Sequence, residues 1–207
     1  EDESLMQIKQ EEEQTDDQLE AAKNAAITAD PRSMFYTGKA PFSEPESQAY
    51  KKFLTDHKDE VKFVLNMHSN GNAFIWPFNG VQKNDIEQRR PGVLAIFEKI
   101  KKEAPFPFGE QFGNAYATMG ETVGGDQDDW TLSELGIPSA TSEIGYTGQF
   151  LNEWQVVDAM TAKDILVEQG AWIDYIYSHL GEFGKIEDAE NAKVEAEAKK
   201  PKKQIMG

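Results

Sequence analysis

The chain has 207 residues, 39% of them hydrophobic and 11% aromatic, enough for one sizeable domain with an apolar core. Its formal net charge of −16 argues against nucleic acid and anionic membrane as partners. Without cysteine it has neither disulfides nor thiolate metal ligands, and no apolar run reaches transmembrane length.

Residues 1–30 are rich in Glu, Asp, Gln and Ala, and nine acids against one lysine in the first twenty account for much of the charge. A thin apolar stripe (Leu5, Ile8, Leu19, Ala22) fits a peripheral acidic segment better than a core helix. Calcium binding is a further reading of these acids, but no glycine is placed among them as an EF-hand requires. The opening residues EDESLMQIKQ lack the signature of a signal peptide and imply a processed product or part of a longer chain.

After Asp30-Pro31-Arg32, Ser43 and Glu46 form a capping box that opens a helix, with Ala49, Tyr50, Phe53, Leu54 and His57 on its apolar face. The organising stretch follows, VKFVLNMHSNGNAFIWPFNG at 61–80. Val61, Phe63, Val64 and Leu65 predict a buried core strand, Gly71 a turn, and Phe74–Phe78 a second strand. His68 then falls just past the end of a strand, where sites collect in open α/β sheets; a histidine satisfied by backbone is the other reading. Pro91 opens a helix to about Lys102 whose face is Val93, Leu94, Phe97 and Ile100. Ala115–Met119 predicts a short strand. The glycines at 113, 120, 124 and 125 predict a flexible loop that ends at Asp128-Asp129-Trp130. Ser139–Ile144 predicts a strand carrying Glu143 near its end, and a carboxylate there is costly unless paired or bound to metal. Thr161 starts a last helix, with Ile165, Leu166, Trp172, Ile173, Ile176 and Leu180 at helical spacing and His179 at its end. Residues 181–207 predict a charged peripheral helix and tail.

Four of these features resemble, in family order, the zinc metallocarboxypeptidases of the carboxypeptidase A/B type: the PFSEPE helix, the His68-Ser69 strand, the Gly-rich loop ending in Asp129-Trp130, and the Glu143 strand. The resemblance covers about residues 34–180 and corresponds to the C-terminal half of a catalytic domain. It implies an α/β fold, part of a mixed sheet flanked by helices, with 1–33 as an acidic peripheral segment and 181–207 as a charged tail. It implies one zinc ion with His68 as a ligand, Glu143 as general base, and Ser69, Glu121 and Asp128 on the substrate side. Asp128 takes the specificity-pocket position and would favour a basic terminal side chain. Glu121 stands where relatives carry a tyrosine, and a carboxylate there would repel the substrate's own.

In the family, a His-x-x-Glu pair upstream of the resembling region supplies the other two ligands, and the arginines that grip substrate also lie upstream. The implied partners are a peptide substrate and an N-terminal half or other protein chain. The implied setting is a secretion or granule lumen before cytosol. Activity is thus expected only with the upstream half. A carboxypeptidase-like subunit without catalysis, serving structure or binding, is the alternative that Glu121 and the incomplete ligand set favour.

Overall fold

A computed structural model describes residues 29–33, 36–69, 71–105, 111–144 and 159–198. The chain divides into two compact units, Glu1–Phe53 and Leu54–Gly207. In the first, the Arg32 guanidinium donates to both oxygens of Asp30 across a tight turn. Helix α1 (Pro45–Asp56) starts with proline at its first position, where the missing N–H costs nothing. The helix therefore begins two residues past Ser43, whose hydroxyl donates to the Glu44 carboxylate instead of capping. Of the expected apolar face, Leu54 alone is buried, and Phe53 is 58% exposed.

The second unit holds a four-stranded mixed sheet in the order β1-β4-β2-β3, built from β1 (Val64–Ser69), β2 (Ala73–Ile75), β3 (Gln111–Gly113) and β4 (Ser139–Ile144). β1 and β4 run parallel, with Asn66 opposite Thr141 and His68 opposite Glu143. β4 and β2 are antiparallel, with Ala73 opposite Glu143 and Ile75 opposite Thr141. β1 and β2 are consecutive in the chain, yet β4 lies between them. β1, expected as a buried core strand, is therefore an edge of the described sheet, and its last three residues are exposed. The buried strands are β2 and the first four residues of β4. His68 stands inside β1 at its penultimate position, not beyond its end.

Side chains alternate across a strand, so the pairing assigns the two faces. Leu65, Phe74 and Ala140 point to one face, which α3 (Pro91–Glu103) and α6 (Ala159–Ala198) cover. α2 (Ile86–Arg89) leads into α3. Trp76 stacks on Phe97 with ring centres 5.4 Å apart, and Phe74 meets the edge of the fully buried Trp172 at 5.5 Å. α6 runs on past Gly181, and Phe183 joins this core. The other face carries Asn66, His68, Ser139, Thr141, Glu143, Ala73 and Ile75, with Ala115 packed beside β2.

Ala115–Met119, expected as a strand, is helix α4. Asn114 caps it by accepting from the Ala117 N–H, and Gly120 closes it in the left-handed conformation. These end signals outweigh the β-tendency of so short a run. Helix α5 (Gln127–Leu135) follows on the same face.

Candidate active site

The two parallel strands deliver His68 and Glu143 to the same sheet edge, one pleat from their ends. The His68 Nδ1 lies 3.8 Å from the Glu143 Oε1. The imidazole is open to solvent, its side chain 57% exposed, while the Glu143 side chain is only 11% exposed. Burial pushes the Glu143 carboxyl above its ordinary range, and the facing imidazole partly offsets this. A carboxylate so placed is a better proton acceptor near neutral pH than a solvated one. Gly71 closes over it: a Cβ at Gly71 would lie 3.0 Å from the Glu143 Cβ.

One pleat below this pair sits Asp128, fully buried. Its carboxylate accepts from Asn66 Nδ2 on β1, from Ser139 Oγ on β4, and from Thr141 Oγ1 at 2.7 Å. Burial, with repulsion from Asp126, pushes Asp128 up to about 7. Asp126 caps α5 by accepting from the N–H groups of Asp128 and Asp129, and burial raises its carboxyl too. Asp129 turns the other way and accepts from the Asn79 N–H at 2.8 Å and the Gly80 N–H at 3.1 Å; burial lifts it to about 6.

Asn79 and Asn114, both buried, tie these pieces together. Asn79 donates to Asp126 at 3.2 Å and accepts from the Ala115 N–H at 2.8 Å. Asn114 donates to the carbonyls of Phe78 at 3.0 Å and Val81 at 2.6 Å. The sequence signals were present but faint: an asparagine ahead of a short helix, and polar residues at every second position of LNMHS and SATSE.

The structure thus brings His68, Glu143 and Asp128 together. Ser69 is exposed at the end of β1, opposite Ile144. Glu121 is exposed in the loop after α4.

Two His-x-x-Glu spacings do stand in the chain, His57/Glu60 and His179/Glu182. Neither is presented to His68. His57 Nδ1 lies 3.4 Å from Glu60 just past α1, before β1 begins, whereas His68 is at the far end of β1. His179 stacks on Tyr175 and its Nδ1 is 2.7 Å from the Tyr175 carbonyl, while Glu182 pairs with Lys99 at 3.2 Å. Among the described residues, no three His, Cys, Asp or Glu side chains are grouped to hold a metal. A catalytic zinc takes three protein ligands, so the described residues alone do not fit it.

The zinc carboxypeptidase family model matches residues 17–164, most of the chain. This chain belongs to the zinc carboxypeptidase family. It is 30% identical to human carboxypeptidase B2 over 121 residues, which is 56% of this chain and 27% of that protein. It is 28% identical to human carboxypeptidase O over 117 residues, 56% of this chain and 30% of that protein. Rat carboxypeptidase B matches at 26% over 155 residues, 72% of this chain and 36% of that protein. The fold resembles the solved thrombin-activatable fibrinolysis inhibitor with a TM-score of 0.55, 20% identity, and 73% of this chain against 38% of that one. A bovine form of that protein, in complex with a tick carboxypeptidase inhibitor, gives a TM-score of 0.53 at 18% identity, with 70% and 48% covered. The chain spans about 30% of the length of the curated relatives it matches. The mixed α/β sheet expected from the sequence is the fold of these neighbours, in part. No helix among the described residues is long and apolar enough to cross a membrane.

Proposed function

We propose that this chain carries one side of a metallocarboxypeptidase active site. In it His68 is a zinc ligand, and Glu143 is the base that accepts and passes on a proton during hydrolysis of a C-terminal peptide bond. The observation that carries the proposal is the delivery of an exposed imidazole and a largely buried carboxylate to one end of the sheet, 3.8 Å apart, by two parallel strands. The exposed ring leaves its nitrogens reachable from solvent, and burial holds water off the base. The remaining ligands would come from residues outside the described ones, on an upstream half or another chain. The zinc, when bound, would supply the family's Lewis-acid chemistry.

The test is zinc content by elemental analysis, together with intact mass and hydrolysis of peptides ending in Lys or Arg, on the native material. His68→Ala is expected to remove the metal. Glu143→Gln is expected to abolish turnover while the metal stays. Zinc retained in full by His68→Ala, or turnover unchanged in Glu143→Gln, would refute the assignment.

A second reading has its own observation: the missing three-ligand group among the described residues, with exposed Glu121 in the loop. On that reading the chain is a carboxypeptidase-like structural or binding subunit. Native material that is free of zinc and inactive would support it.

A further inference from the structure

A cleft opens at the starting end of the β1–β4 pair, away from the candidate active site. The two strands begin side by side there, and the Val64 N–H donates to the Pro138 carbonyl at 2.9 Å. His68 and Glu143 stand at the far ends of the same strands. The cleft offers about 190 Å³. Ile96, Ile137 and Phe183, all buried, give it an apolar lining.

One wall is a face of α6, where Leu180, Phe183, Gly184 and Glu187 recur at i, i+3, i+4 and i+7. This wall lies past the family match, which ends at residue 164. Gly184 leaves room in it, because a Cβ there would meet nothing within 4 Å. Another wall is the loop between α1 and β1, which brings Val61 and the exposed Lys58 and Lys62. The Lys62 ammonium donates to the Asp59 carbonyl at 2.6 Å, and among the described residues neither lysine stands in an ion pair. The acid on the lining, Glu187, is already countered. Burial raises its carboxyl, the Arg90 guanidinium faces it, and its Cα and Cγ crowd Gly92 on α3. The charge left unmatched at the cleft is therefore positive.

Size and charge together name an occupant. An apolar cavity of roughly 150 Å³ takes benzene, so this one has room for one ring and a small substituent. Two ammonium groups select an anionic substituent. We propose that the cleft is a second ligand site, which takes a small aromatic carboxylate with its ring on Ile96, Ile137 and Phe183 and its anion at Lys58 and Lys62. The proposal is independent of the reading of His68 and Glu143.

The experiment is NMR titration of the full chain at pH 7 and low salt with three probes of one size: benzoate, benzyl alcohol and benzylamine. Amide shifts should move at Ile137, Phe183 and Gly184, with benzoate binding in the millimolar range. Benzoate should bind about fivefold tighter than benzyl alcohol, the upper end for an exposed ion pair, and benzylamine should bind weakest. Lys58→Gln/Lys62→Gln should remove the preference for benzoate. Gly184→Leu should fill the cleft and abolish binding of all three, without lowering the unfolding midpoint, because leucine is the better helix former. If Gly184→Leu does not fold, the lysine variant, confined to exposed side chains, carries the test.

Equal binding of the three probes would overturn the proposal. So would tightest binding of benzylamine, which would give the cleft to Glu187. Shifts centred on His68 and Glu143, or a benzoate preference that survives in the lysine variant, would overturn it as well.

Discussion

Stability should fall as pH rises from about 4 to about 8. The ordinary carboxyl value of Asp128 is 3.8, and in the fold it stands at about 7. The sign follows from linkage. A group whose pKa is raised on folding favours the native state fully below its unfolded value, and that contribution is lost as pH climbs through the folded value. A displacement of about three units at about 1.4 kcal/mol per unit gives about 4 kcal/mol between the two ends of the window. The steepest slope is about 1.4 kcal/mol per pH unit for one proton, and each kcal/mol moves the unfolding midpoint by roughly 2–4 °C in a chain of this size. Asp126, Asp129, Glu143 and Glu187 are raised by burial as well and act with the same sign. Glu103 and Asp30 are lowered by Lys99 and Arg32 and act oppositely, but their window lies at more acid pH. Because Asp126 and Asp128 titrate against each other, their contributions are not summed.

The assay is urea unfolding followed by tryptophan fluorescence at half-unit steps from pH 4.5 to 8.5, on the native chain and on Asp128→Asn. The variant cannot ionise there, so its profile should be flatter. Stability that rises from pH 5 to pH 8, or an equal slope in the two proteins, would refute the reasoning.

Three other substitutions probe the frame. Trp172→Ala removes a fully buried ring packed on Phe74 and should cost about 3–5 kcal/mol in chemical unfolding. Gly92→Ala would gain roughly 1 kcal/mol of helix propensity, but its Cβ would lie 2.9 Å from the Glu187 Cα and carbonyl oxygen. Backbone cannot step aside as a side chain can, so the net effect should be a loss of about 1–2 kcal/mol, with faster exchange in α6 beyond Phe183. Gly71→Ala crowds the Glu143 Cβ at 3.0 Å and should cost about 1 kcal/mol while shifting the Glu143 side-chain resonances. Unchanged resonances would mean that the turn yields and that Gly71 does not hold the glutamate.

Most of what was legible in the sequence was periodic or punctuated. The Pro91 helix, the Ser139–Ile144 strand and the Trp172–Ile176 spacing each carry a local signal that tertiary structure did not override. The capping-box helix also formed, though Pro45 moved its start and its face buried only Leu54. Strand order was not legible, because β1 and β2 read as neighbours and nothing in their residues says that β4 enters between them. The exposure of β1 departs from expectation for the same reason, since the same valine and leucine suit a central strand or an edge. Ala115–Met119 misled because five residues are too few to show a period, and its asparagine and glycine ends decided the matter. The site pair itself could be suspected from His68 and Glu143 separately. Their 3.8 Å approach, and the carboxylate beneath them, exist only once the strands are paired.

The hydrogen bond between Asn66 on β1 and Asp128 on α5 also has a consequence in time. Asn66 and Asp128 are 62 residues apart in the chain. At about 5–20 residues per second, a ribosome delivers Asp128 roughly 3–12 s after Asn66. During that interval the histidine strand has no β4 to lie against, and its open edge is available to any other strand or chaperone that meets it. Production of this chain should accordingly depend on how quickly residues 126–144 follow, and slow codons placed between the two strands should lower the soluble yield without changing a single amino acid.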